Sequence, residues 1–117
     1  MRHHSKNRKF GRERNQRAAL MRMLALSLIE KGKITTTEAR AKSLRPFVEK
    51  LITKGLQKSV PSARGVRASL GGDGMKGAKL LRDIAPRFAG RKGGYTRITK
   101  LPPKKSDGRR MAVIEFV

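Results

Sequence analysis

The sequence predicts an α+β domain of two layers, in which helices pack on one face of a small mixed or antiparallel sheet. Three observations predict this class. Apolar residues recur at helical spacing between 15 and 84, a short β-branched run interrupts them, and the last third alternates apolar with polar residues. The elements follow the order α-β-α-α-α-β-β, which is typical of α+β folds. The 117 residues suit one domain, and an apolar fraction of 37% supports only a small core.

The first helix is expected between Asn15, as its N-cap, and Gly32, which stops it after Lys31. Its apolar stripe consists of Leu20, Met21, Leu24, Ala25 and Leu28. Met23 and Leu26 lie off that stripe. They indicate either a helix buried on two sides or a second contact surface.

A short strand over 33–36 and a second helix should follow. Thr36 or Thr37 is expected to cap that helix, which begins at Glu38. Pro46 lies inside the helical pattern, near its polar side, where water can reach the carbonyl that proline leaves unbonded. We therefore expect one kinked helix, with an apolar stripe of Ala41, Leu44, Val48, Leu51 and Gly55 flanked by Phe47 and Ile52.

Two shorter helices and a β-hairpin complete the predicted domain. The third helix begins around Ser59–Ser62 and ends near Ser69, a loop covers 71–74, and the fourth helix spans 75–84 before Pro86. Strands over 95–101 and 111–117 form a hairpin with a long basic tip. One face of its second strand, carrying Ala112, Ile114 and Phe116, should be buried.

The charge of the chain is its most informative property. Thirty Lys and Arg stand against eight Asp and Glu, a net charge of +22. A solvated helix face would alternate signs, so this excess indicates a polyanionic partner. Nucleic acid is favoured, and an anionic membrane is the alternative. Residues 1–14 are too basic and too poor in apolar side chains to fold alone, so we expect an extended basic arm before a single domain at 15–117.

Features of an enzyme or a metalloprotein are missing from the sequence. The eight acids are scattered, with no carboxylate pair at helical spacing. There is no cysteine, and no apolar run is long enough for a membrane span or a signal peptide. His3 and His4 lack obvious further metal ligands, so contact with bases or phosphates suits them better. We predict no catalysis, cofactor, metal or small-molecule substrate.

A glycine-rich segment over 88–95 combines backbone freedom with positive charge. Its glycines expose N–H donors, Arg91 and Lys92 supply charge, and Tyr95 offers a ring that could stack on a base. No acidic residue occurs between 85 and 106. Arg97 and Lys100 should fall on opposite faces of their strand, so only one of them can point to a single partner surface.

Several blocks of the sequence resemble a known family. Residues 86–98, Pro-Arg-Phe-Ala-Gly-Arg-Lys-Gly-Gly-Tyr-Thr-Arg-Ile, resemble the C-terminal signature of the seventeenth large-subunit ribosomal protein of bacteria. The start (Met1-Arg2-His3, Gly11-Arg12, Arg17–Leu20), the segment Ile34–Thr37 with Arg40–Lys42 and Leu51–Thr53, and the end at 111–115 are also similar to that family. The blocks keep the family order over nearly the whole chain.

The resemblance implies a structural protein of the large ribosomal subunit, bound to large-subunit rRNA near the exit of the peptide tunnel, beside neighbouring ribosomal proteins. It also implies a two-layer fold of helices on a small sheet. Because the similarity begins at Met1, we expect no transit peptide and a bacterial cytoplasmic ribosome. No homo-oligomer is expected.

Charge, glycine content and resemblance together give the residues expected to contact RNA. They are Arg2, His3, His4, Lys6, Arg8, Lys9, Arg12 and Arg14 of the arm; Arg17 and Arg22 of the first helix; Arg87, Arg91, Lys92, Gly93, Gly94, Tyr95 and Arg97 of the loop and strand; and Lys104, Lys105, Arg109 and Arg110 of the hairpin tip. Two rivals stay open: a nucleoid-type protein that binds duplex DNA and a membrane-active cationic peptide.

Overall fold

The predicted α+β architecture is present in a computed structural model that describes residues 13–57, 60–71, 74–103 and 108–117, with backbone alone at 74–76. Within these ranges the elements are α1 (Arg14–Lys31), β1 (Lys33–Thr37), α2 (Glu38–Gln57), α3 (Val60–Leu70), α4 (Gly74–Ile84), a short 3₁₀ helix (Ala85–Phe88), β2 (Thr96–Lys100) and β3 (Met111–Phe116). The predicted order of helices and strands is confirmed.

Helix α1 ends where the sequence predicts but begins earlier. Gly32 adopts a left-handed backbone with φ of 81°, and its N–H donates to the carbonyl of Leu28 at 2.8 Å. The prediction of Asn15 as N-cap is wrong, because Glu13 takes that position with an extended backbone. The carbonyl of Glu13 accepts the first helical bond, from the N–H of Arg17 at 2.9 Å. Arg14, assigned to the arm, therefore lies in the helix.

Helix α2 runs without interruption from Glu38 to Gln57, with Pro46 exposed inside it. Thr37 is the predicted cap, since its Oγ1 accepts a hydrogen bond from the N–H of Arg40 at 3.3 Å. The side chains that this helix buries match the predicted stripe and its flank; they are Ala41, Leu44, Val48, Leu51 and Ile52.

The sheet has the strand order β1-β3-β2 and is antiparallel throughout. Ile114 of β3 lies between Ile34 of β1 and Ile98 of β2, and this row faces the helices. The predicted hairpin of β2 and β3 is confirmed, with β2 shorter by one residue at each end and β3 by one at its C-terminal end. The opposite face carries polar residues such as Thr35 and Thr99, which are exposed.

Helix α2 lies at the centre of the packing and contacts α1, α3, α4 and all three strands. The largest fully buried side chains come from both layers: Leu28, Leu44, Val48, Ile52, Leu70, Leu81 and Ile114. One core therefore joins the helical layer to one face of the sheet, as the two-layer prediction requires.

Leu26 and Met23, the two residues that lie off the apolar stripe of α1, have different surroundings. Leu26 packs toward Gly77, where an added Cβ would lie 2.6 Å from its Cδ2, so α1 is buried on a second side there. Met23 stays 59% exposed. Helix α4 begins at Gly74, one residue before the predicted start, and ends at Ile84 as predicted. Gly72 and Asp73 of the predicted loop, and Ser59, lie outside the described residues.

Candidate nucleic-acid interface

The glycine-rich loop between the 3₁₀ helix and β2 is tied down at several points. The N–H of Arg91 donates to the carbonyl of Phe88 at 2.9 Å, and the hydroxyl of Tyr95 donates to the carbonyl of Arg91 at 3.2 Å. The N–H of Tyr95 donates to Oε1 of Glu49 on α2 at 2.9 Å. Gly90 has a φ of 83°, in the left-handed region that glycine adopts without strain. The loop is thus a shaped platform fixed to α2.

Tyr95 anchors this platform from inside the core. Its ring is only 3% exposed and meets Phe88 edge-on, with 5.2 Å between centroids and 61° between planes. Phe116 lies 6.1 Å from Phe88 and completes an aromatic cluster. A ring in this position has no free face for a base. The expectation that Tyr95 stacks on RNA is therefore corrected: the ring holds the loop in place.

The cations of the platform point outward. Arg87, Arg91 and Lys92 are all exposed. The guanidinium of Arg87 lies 5.8 Å from the centroid of the Phe88 ring, a cation–π contact, and Nε of Arg91 donates to the carbonyl of Gly93 at 3.1 Å. These contacts leave each guanidinium with further N–H donors for an anion.

Arg97 and Lys100 fall on opposite faces of β2, as predicted. Arg97 pairs across the sheet with Glu115, and its Nη1 lies 3.6 Å from Oε1 of that residue. Lys100 lies opposite Ala112, and its Nζ is 3.4 Å from Oε1 of Glu38 at the start of α2. Both cations thus have a carboxylate partner within the fold.

Glu38 joins the end of β2 to the first turn of α2. Its Oε1 also lies 2.9 Å from Nζ of Lys42. The hydrogen bond from Lys42, with help from Lys100, holds the pKa of the Glu38 carboxyl below its ordinary value, although partial burial acts in the opposite direction. The N–H of Glu38 donates to the carbonyl of Arg110 at 2.9 Å, which brings the exposed Arg109 and Arg110 to the same end of α2.

The predicted residues of α1 lie on another part of the surface. Arg14 is exposed, whereas Arg17 and Arg22 are half-buried. Nε of Arg17 is buried and has no hydrogen-bond partner among the described residues. The side chain of Arg22 covers Gly71, where an added Cβ would lie 2.9 Å from its Cδ. The remaining predicted residues lie outside the described ranges; they are Arg2, His3, His4, Lys6, Arg8, Lys9, Arg12, Lys104 and Lys105.

Two lysines that sequence analysis left out of the interface lie beside the platform. Lys50 and Lys54, one turn apart on α2, line an open groove of about 500 Å³ together with Lys92 of the loop. Their spacing of four residues with no acid between them was a usable signal.

The described part of the chain contains neither a membrane-spanning helix nor a cluster of metal ligands. Its helices include none long and apolar enough to cross a membrane. Among the same residues, no group of three or more histidine, cysteine or acidic side chains comes together to hold a metal ion.

Fold and surface together define a class of protein: a small α+β domain with a strongly basic exterior. A model of the family described as ribosomal protein L17 matches residues 20–117. The chain belongs to the ribosomal protein L17 family. This membership confirms the resemblance found in the sequence, and with it the prediction of a ribosomal protein of bacterial large-subunit type that is not an enzyme.

Three relatives are similar to this chain over its whole length, and each is named a large ribosomal subunit protein bL17. The relative from Hydrogenobaculum is 51% identical and aligns over 99% of its own length. That from Gemmatimonas aurantiaca is 50% identical over 98% of its length, and that from Persephonella marina is 48% identical over 95%. The similarity therefore extends over both the described and the undescribed parts of the chain.

Proposed function

We propose that this chain is a structural constituent of the large ribosomal subunit that binds large-subunit rRNA near the peptide tunnel exit and supports translation. Family membership supports the subunit, and a bacterial subunit of this kind works in the cytoplasm. The position near the tunnel exit rests on the family resemblance. Neighbouring large-subunit proteins are the other expected partners, with no membrane, small-molecule substrate or homo-oligomer.

The observation that supports RNA as the partner is the way the fold uses its acids. Glu38 is engaged by Lys42 and Lys100, Glu115 by Arg97, and Glu49 by the backbone of Tyr95. Three of the eight acids thus bind groups within the domain. Few acids are left to offset the positive charge of the 30 basic residues. Among the described residues, Arg87, Arg91, Lys92, Arg109 and Arg110 are exposed, where phosphates can neutralise their charge and release condensed counterions.

The proposed contacts fall on the platform and its surroundings. Arg87, Arg91 and Lys92 present charge from a fixed backbone, and Arg109 and Arg110 add to it near the start of α2. Arginine suits the bidentate phosphate contacts, because its planar guanidinium offers two parallel N–H donors. The arm residues named from the sequence are proposed as further contacts. Arg97 would share its charge between Glu115 and a phosphate.

Binding to rRNA fragments at a series of salt concentrations tests this proposal. If about ten phosphate contacts form, the slope of log K against log salt should be on the order of −7 to −9. Duplex DNA of equal length serves as the competitor, since a nucleoid-type protein would prefer it. Equal or stronger binding to DNA, or a nearly flat salt dependence, would refute the proposal.

The proposed position is tested in ribosomes that carry a nascent peptide. A lysine-reactive cross-linker on the emerging part of the peptide should capture this chain once the peptide is long enough to leave the tunnel. If no peptide of any length is cross-linked to this chain, the proposed position near the exit is contradicted. The proposal that the chain binds rRNA would not be affected by that result.

A further inference from the structure

The groove between α2 and the glycine-rich loop has a basic rim that the fold leaves uncompensated. We call the surface bounded by Lys50, Lys54 and Lys92 the lysine groove. All three lysines are exposed, and no ion pair or hydrogen bond engages their side chains within the described residues. Lys42 and Lys100, by contrast, both lie against Glu38. The lysine groove therefore carries three exposed lysines whose charge is not paired with an acid among the described residues.

Glu49 is the acid among the described residues that line the groove, and it is engaged elsewhere. Oε1 of Glu49 accepts the N–H of Tyr95 at 2.9 Å, and its Oε2 lies 3.9 Å from Nε of Arg45 on the next turn. The carboxylate is thus directed toward the loop backbone and toward an arginine of its own helix. The charge of the three exposed lysines is thus available to an external anion.

The groove keeps its shape without a ligand. Its loop wall is fixed by the buried ring of Tyr95, and its helical wall is part of the central helix. The side chain of Lys54 lies across Gly65 of α3, where an added Cβ would be 3.5 Å from the lysine Nζ. A preformed site loses less conformational entropy when it binds.

We propose that the lysine groove receives the phosphodiester backbone of an RNA strand that lies between α2 and the loop. This inference rests on the proposed function and adds Lys50 and Lys54 to it. Lysine acts as a flexible point charge and not as a planar fork, so these contacts would position RNA without reading its sequence. Lys50 and Lys54 are separated by one helical turn, a rise of about 6 Å, so both arise from the face of α2 that lines the groove, and Nζ of Lys54 lies toward Gly65 of α3.

A pair of double variants tests the inference in the full-length protein. Lys50→Gln with Lys92→Gln removes two charges from the groove. Arg67→Gln with Lys79→Gln removes two exposed charges from α3 and α4 as the matched control. Each lost phosphate contact should reduce the salt slope by about 0.7 to 0.9, so two contacts change it by about 1.4 to 1.8. At 0.1 M salt that corresponds to an affinity loss of roughly 25- to 60-fold, while the control keeps the wild-type slope.

The outcomes separate this inference from the function on which it rests. If wild-type protein shows no salt-dependent binding to rRNA, the proposed function fails. If wild type binds and the groove variant behaves like the control variant, the inference alone fails. Thermal unfolding should be the same for all three proteins, because all four side chains are exposed and none has a hydrogen-bond or ion-pair partner among the described residues.

Acylation of lysine amines provides a second measurement that needs no variant. In the complex of wild-type protein with rRNA, Lys50 and Lys92 should be protected while Lys79 reacts. Equal reactivity of all three would overturn the inference. Protection that appears only in assembled subunits, and not in the protein–RNA complex, would also overturn it, because the occupant would then be a neighbouring protein.

Discussion

The packing of α4 against α1 and α3 depends on the absence of a side chain at Gly77. An added Cβ would lie 2.6 Å from Cδ2 of Leu26 and 2.9 Å from Cδ1 of Leu70. Leu70 is 1% exposed, so it has no free space into which to turn. Gly77→Ala should therefore force at least one leucine out of its preferred position. Overpacking of this kind costs about 1–3 kcal/mol.

Gly65→Ala is the matched control, because it makes the same chemical change in α3 without the steric conflict. There the nearest atom to an added Cβ is Nζ of Lys54 at 3.5 Å, an ordinary contact with the end of a flexible chain. Both substitutions gain about 1 kcal/mol of helix propensity. That gain cancels in the comparison, so the difference between the two variants isolates the steric cost at Gly77.

Urea unfolding followed by circular dichroism measures this difference. Gly65→Ala should be more stable than wild type by up to about 1 kcal/mol, and Gly77→Ala should be less stable than Gly65→Ala by about 1–3 kcal/mol. For a domain of this size the two melting temperatures should differ by roughly 4–12 °C. A Gly77→Ala protein as stable as Gly65→Ala would refute the close approach of α4 to α1 and α3.

Three further predictions concern the platform and its supports. Replacing Arg91 and Lys92 together by alanine should weaken incorporation into large subunits but change the unfolding free energy by no more than about 0.5 kcal/mol, because both side chains are exposed; a large loss of stability would show that the loop needs them to fold. Tyr95→Phe removes the hydroxyl that bonds to the carbonyl of Arg91, so thermal unfolding should report a loss of about 0.5–1.5 kcal/mol, and an unchanged stability would argue against that tether. Glu38→Gln should flatten the acid side of the stability curve. The carboxyl of Glu38 has a pKa held below its ordinary value of 4.5, so its contribution is complete above that pH and is lost as the pH falls through the lowered folded value. Equal acid sensitivity of wild type and Glu38→Gln would contradict this role.

The parts of the fold that were predictable are those fixed by local chemistry. The stripe of α2 follows from residue spacing, and the cap at Thr37 from a hydroxyl three residues before a backbone N–H. The predicted start of α1 was wrong by two residues, because both Glu13 and Asn15 stand at positions that can precede a helix. Backbone geometry, which composition does not reveal, decided between them.

The parts of the interface that were not predictable depend on distant contacts. From the sequence, Tyr95 in a glycine-rich loop is expected to be exposed. In the fold its ring packs against Phe88, which in turn contacts Phe116, and its backbone N–H donates to the carboxylate of Glu49, 46 residues away in sequence. In the same way, Lys50 and Lys92 belong to different elements and share a groove only after the loop docks on α2. Charge excess can be counted in a sequence, whereas its arrangement is set by the tertiary fold.

Sedimentation of a cell lysate through sucrose at moderate salt tests the central claim most directly. We expect this chain to travel with the large ribosomal subunit, at one copy per subunit, and to be released when the salt concentration is raised. Recovery at the top of the gradient at moderate salt, or with DNA and not with the large subunit, would contradict the claim that its +22 charge serves to bind ribosomal RNA.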